Sequence, residues 1–190
     1  MKIIFVFFLL ASCYVNGQPQ SDVPRPEYIN SPQVWVKATN KSYDLAVEKA
    51  SFVNKVSGAN FIPGGGLFSK NKFGFSLDGE HSSVNVGTAD STFIIVKINP
   101  DQNPTGYLRL FLLDVNQKKS RREAVIGYMQ SGSIVYTTDK EVVYELKKLD
   151  RGIFMLKFGG HLSGEFAMQI GTYVNGLNAT MPSYFTFSVR

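Results

Sequence analysis

Cysteine is nearly absent from this chain: Cys13 is the only one, so no intramolecular disulfide can form and the fold must be held together by its own core. Histidine is almost as scarce, with only His81 and His161, and Trp35 is the sole tryptophan. Two imidazoles without a thiol in the folded part do not make a zinc set of three or four ligands. No Gly-x-Ser-x-Gly nucleophile elbow occurs, and the Gly64-Gly65-Gly66 run lacks the Gly-Lys-Ser/Thr ending of a phosphate loop. The sequence therefore leads us to expect no cofactor, no metal and no catalytic residue set. Beyond residue 17 no apolar run approaches the ~18 residues of a membrane-crossing helix. The most apolar stretch, Leu108 to Val115, is broken by Arg109 and Asp114.

The chain does open on Met1-Lys2 followed by the short apolar run Ile3 to Ala11, a positive start and hydrophobic segment in the manner of a secretory signal. Two cleavage sites compete. Leu10-Ala11-Ser12-Cys13 resembles a lipobox, which would make Cys13 an acylated anchor, while Val15-Asn16-Gly17 favours release after Gly17. The expected organisation is a signal peptide (residues 1–17), a flexible Pro-containing arm (residues 18–31) and one folded domain (residues 32–190). Hydrophobic residues make up 44% and charged residues 18%, a balance that supports a packed core and excludes wholesale disorder. The net charge of +5 permits attraction to acidic surfaces without requiring it.

From Gln33 onward the candidate elements are short, rich in β-branched and aromatic residues, and bounded by turn formers. Val34 and Val36 alternate with Trp35, which puts the indole on the opposite face from both valines. Further strands are expected over Phe73 to Leu77, Ser83 to Val86, Thr92 to Ile98, Tyr107 to Val115 and Arg122 to Tyr128. Others follow over Ser133 to Thr137, Val142 to Leu149, Gly152 to Phe158, Glu165 to Ile170 and Tyr184 to Val189. Asp78-Gly79, Asn99-Pro100-Asp101, Asp150-Arg151-Gly152 and Gly159-Gly160 mark turns between them. Tyr43 to Val56 fits either a short helix or two strands, and Thr39-Asn40-Lys41-Ser42, read as a hairpin turn, favours strands. About ten short strands without an amphipathic helix predict an all-β antiparallel sandwich, Ig-like or jelly-roll-like.

Taken in order, Val34-Trp35-Val36, Val47-Glu48-Lys49-Ala50, Phe61-Ile62-Pro63-Gly64-Gly65-Gly66 and Leu77-Asp78-Gly79-Glu80-His81-Ser82 form a recurring series of marks. Phe93-Ile94-Ile95-Val96, Lys118-Lys119-Ser120-Arg121-Arg122 and Gly164-Glu165-Phe166-Ala167 continue it. The series resembles a β-sandwich domain of exported proteins from Bacteroidetes-type bacteria, to which no activity is assigned. The chain departs from that pattern at Ser163, where a proline commonly precedes the Gly-Glu pair. The resemblance implies export to the periplasm or outer envelope and carries over no catalytic residue.

Two clusters bear chemistry. Asp78-Gly79-Glu80-His81 collects two carboxylates and an imidazole, yet it also reads as a charged hairpin tip, since His81 alternates away from the acids. Lys118, Lys119, Arg121 and Arg122 follow an apolar strand and precede another, which places them at a hairpin tip. There they either form a solvated turn that discourages edge pairing or make an anion-binding site. Without interleaved aromatics the run does not suit nucleic acid. The expected function is a non-enzymatic exported module that binds an envelope protein, a glycan or an anionic lipid. The alternative is a carbohydrate- or lipid-active hydrolase whose acids, Asp78 and Glu80, converge only in the fold.

Overall fold

A computed structural model of the chain describes residues 32–36, 41–55, 71–87, 92–130, 133–137, 139–159, 162–171 and 182–190. The signal segment, the arm, Cys13, Gly64 to Gly66 and His161 lie outside the described residues. Among these residues fourteen strands follow in chain order: β1 (Gln33–Val36), β2 (Lys41–Asp44), β3 (Val47–Glu48), β4 (Ala50–Lys55), β5 (Asn71–Asp78), β6 (Asn85–Val86) and β7 (Thr92–Lys97). The second half supplies β8 (Leu108–Asn116), β9 (Arg121–Gln130), β10 (Ser133–Tyr136), β11 (Tyr144–Asp150), β12 (Ile153–Phe158), β13 (Gly164–Ile170) and β14 (Ser183–Val189). No α-helix occurs among the described residues, and the ambiguous stretch from Tyr43 resolves into β2, β3 and β4.

Strands β11, β12, β7, β1 and β2 form, in that order, an antiparallel five-stranded sheet. The other layer runs β3-β14-β13-β8-β9-β5-β4, all antiparallel, with the two-residue β6 added in parallel to β14. β3 and β4 are separated only by Lys49. The first half of this bent strand pairs with β14 (Val47 opposite Phe185) and the second with β5 (Ala50 opposite Leu77). Both edges of the layer are therefore the same strand, and the layer closes into an antiparallel ring of six: β3–β4, β14, β13, β8, β9 and β5. The antiparallel, sandwich-like expectation holds, and closure of one layer is the feature it did not contain.

One seam of the ring is split. β8 and β9 pair only over Asp114–Asn116 and Arg121–Glu123, then diverge. β10 covers the freed edge of β9. The chain then returns along β8, where the Leu112 N–H donates to the Lys140 carbonyl and the Val142 N–H to the Leu110 carbonyl, both at 2.8 Å. Two ion pairs pin this return: Lys140 to Asp114 at 2.6 Å, and Arg109 to Glu141 through two contacts of 3.1 and 2.8 Å. Paired this way, the return segment leads straight into β11 of the other sheet.

Period-2 alternation explains the two cores. On β13, Phe166 and Met168 face the five-stranded sheet while Ala167 faces into the ring. Val34, Ile94, Val96 and Leu156 meet Leu110, Phe166, Met168 and Phe187 between the layers. Phe75, Leu77, Phe111, Leu113, Ile126 and Tyr184 fill the ring. A third cluster, Phe93, Ile95 and Ile153 with Trp35, lies on the other side of the five-stranded sheet, as the alternation around Trp35 requires.

Phe166 is fully buried between Phe158 and Phe187, with ring centroids 6.0 and 5.2 Å away. Phe166→Ala is expected to lower unfolding free energy by about 3–5 kcal/mol in urea titration. Tyr144 donates its hydroxyl to the Leu108 carbonyl at 2.6 Å, and burial, reinforced by Glu141, raises its pKa above the ordinary tyrosine value. Because the folded state holds that proton more tightly, the contribution is complete below the unfolded pKa of ~10 and is lost as pH rises through the raised folded value. An alkaline absorbance titration should show a late tyrosine step that Tyr144→Phe removes.

Candidate functional site

Alternation on β9 sends Ala124 and Ile126 into the ring, and by the same count Arg122 follows them inward. Its side chain is 1% exposed, where a guanidinium survives only if every donor is met. The Nε–H donates to the Gly79 carbonyl at 3.2 Å. Nη2 donates to the Asp78 carbonyl at 2.9 Å and to Glu48 Oε2 at 2.6 Å. Nη1 donates to Thr186 Oγ1 at 3.1 Å and faces Glu165 Oε2 at 3.9 Å. Gly79, with φ of 79°, makes the turn that brings both carbonyls onto the guanidinium, a conformation that costs a residue with a Cβ.

The surrounding groups are equally committed. The Thr186 hydroxyl donates its single proton to Glu48 Oε1, so its lone pairs receive Arg122 and the Ser82 hydroxyl 3.0 Å away. Glu165 accepts the Ser82 N–H at 2.8 Å and Arg190 Nη2 at 3.2 Å, and its Oε1 lies 3.2 Å from His81 Nδ1. Two carboxylates thus balance two guanidiniums, with His81 at the solvent margin. A serine, a histidine and a glutamate are close together, but not as a nucleophilic triad. Ser82 is buried and its oxygen accepts the Val84 N–H at 3.2 Å, while the His81 ring engages the glutamate rather than the hydroxyl.

Of the predicted acids, Glu80 lies half-buried in the bend that follows β5. Asp78 lies on the outside of β5, opposite in sense to Leu77 and Arg122, and contributes its carbonyl to the network. The acids that the fold brings together are Glu48 and Glu165, neither of which is in the Asp78-Gly79-Glu80-His81 cluster. Among the described residues no group of three metal-ligating side chains converges.

The basic run also divides. Gln117–Lys119 forms a single 3₁₀ turn closed by Ser120 in the left-handed region (φ 44°), and Lys118 and Lys119 stand exposed on it. Arg121 is half-buried and donates to Glu123 Oε1 at 2.6 Å, where Asn116 also donates at 3.0 Å. Arg122 does not lie on a solvated tip, contrary to the sequence expectation. The run crosses from the turn into the strand, and alternation turns this residue into the ring.

No family model, curated protein or solved structure matches the chain. The network must therefore be judged on its chemistry, which is that of a structural lock. Arg122→Ala would leave the half-buried Glu48 and the buried Glu165 without the cation between them. It is expected to cost about 3–5 kcal/mol in chemical denaturation. Arg122→Lys, which keeps the charge but loses the planar fork, is expected to recover only part of this.

Proposed function

We propose that the chain is an exported, non-enzymatic binding module whose β8–β9 hairpin tip engages an anionic partner of the cell envelope. The supporting observation is the division of the basic run. Arg122 anchors the base of the hairpin in the ring, and Lys118 and Lys119 project from a turn fixed directly above it. A rigid base spares the tip much of the ordering cost that binding otherwise imposes. Two adjacent ammonium groups in solvent suit phosphate-bearing surfaces, which a lysine meets as a point charge. Envelope location rests on the signal-like start and on the resemblance to exported Bacteroidetes-type domains. Within this reading the anion contact belongs to Lys118 and Lys119, with Arg121 at its margin.

Sedimentation with vesicles tests the proposal. The chain should pellet with phosphatidylglycerol vesicles, not with phosphatidylcholine alone, and should be released by rising sodium chloride. With about 1 kcal/mol for each lysine near an anionic surface, Lys118→Ala with Lys119→Ala should weaken binding roughly 30-fold. Its unfolding curve should be unchanged. Equal binding by the double variant would remove the tip as the contact.

A further inference from the structure

At the other end of β5 and β9 the strands run past the packed interior of the ring. The register shifts between Phe73 and Gly74: Gly74 lies opposite Val125, but Phe73 lies opposite Gly127. Ile126 is the extra residue of this bulge and stays in the ring core, while Gly127 comes to the same side as Phe73. Beyond the bulge the inward side of β4, β5, β9 and β10 continues as an open face. Asn54, Phe73, Gly127 and Tyr136 form one row across it. Phe52 lies to one side of that row, and Asn71 and Met129 to the other.

The face is built around one ring. A Cβ at Gly127 would come within 2.5 Å of Phe73 Cζ and 2.7 Å of the Val135 carbonyl, so the Phe73 ring lies directly on the glycine. Phe52 is nearly parallel to Phe73 (20°, centroids 6.3 Å apart), and Tyr136 stands edge-on to it (80°, 5.9 Å). Phe52 is 61% exposed, Tyr136 51% and Met129 41%. Three aromatic rings held in fixed mutual orientation at a surface lose apolar area to water that a core position would have hidden, and such patches mark ligand sites.

The neighbours of these rings specify the ligand. Among the described residues this face carries no Asp, Glu, Lys or Arg, and its polar groups are the Asn54 and Asn71 amides and the Tyr136 hydroxyl. An anionic lipid or acidic peptide would find no counter-charge here. An acyl chain would leave the exposed Asn54 amide without use. A neutral saccharide satisfies both parts, because its C–H faces pack against aromatic rings and its hydroxyls pair with amides that both donate and accept. We propose that this shelf binds an uncharged glycan chain, with Phe52, Phe73 and Tyr136 as the stacking platform and Asn54 as the hydroxyl partner. The site is separate from the basic tip, lying at the opposite end of β9.

Affinity electrophoresis of the full chain through gels containing mixed-linkage β-glucan, mannan, galactan or dextran tests this. At least one polysaccharide should retard the wild type, and Phe52→Ala and Tyr136→Ala should each raise its dissociation constant roughly tenfold. Both side chains are exposed, so these variants should keep the wild-type melting temperature. Lys118→Ala with Lys119→Ala should be retarded as the wild type is, which separates this site from the tip. Failure of all four polysaccharides to retard the chain would overturn the proposal, as would undiminished retardation of both aromatic variants. A dimer seen by analytical ultracentrifugation and abolished by Phe52→Ala would assign the shelf to self-association instead.

Discussion

One buried guanidinium holds the ring together at the point where closure is hardest. Arg122 starts on β9, takes two carbonyls at the end of β5, meets Glu48 on β3 and Thr186 on β14, and faces Glu165 on β13. Those are five of the six walls. The β3–β14 pairing consists of only two residue pairs, too short to define a register by itself. A planar fork with five donors fixes the relative height of strands that share few ladder bonds, as a set of apolar contacts could not. An unpaired charge in that position would be costly, so the same group also penalises any mispaired ring.

This arrangement places the two proposed binding surfaces as well. With one end of the ring filled by reciprocal ion pairs, the buried polar groups there are spent on each other, and Lys118 and Lys119 extend beyond it. At the far end the bulge beside Gly74 releases β5 and β9 from the closed geometry, and aromatic side chains that would have joined the core reach solvent. The two ends thus differ in chemistry for a single structural reason: one is locked and the other is splayed.

Much of the strand pattern could be read from the residues, because alternation and turn formers act locally. Phe73 to Leu77 and Glu165 to Ile170 sit inside β5 and β13, and Gly152 falls in the turn between β11 and β12. Ring closure could not be read, since alternation does not name a strand's partner and Glu48 meets Thr186 across 138 positions. Arg122 was legible in principle. Counting back by twos from Ile126 and Ala124 reaches it, but the adjacent Lys118-Lys119-Ser120-Arg121 invited a reading of the whole run as surface. Glu165 gave the same signal, a charge in register with Ala167 inside an apolar strand. Phe52 and Tyr136 carried no such signal, because an aromatic in a strand looks the same whether the layer above it continues or stops.

The bent strand of β3 and β4 also imposes an order of assembly. β14 stands between β3 and β13, so the ring has no closed form until residues 183–189 have been made and have found a partner near the beginning of the fold. Until then β3 and β13 both offer unpaired edges, and contacts of such long sequence separation form slowly. A chain built this way gains from being kept unfolded until it is complete.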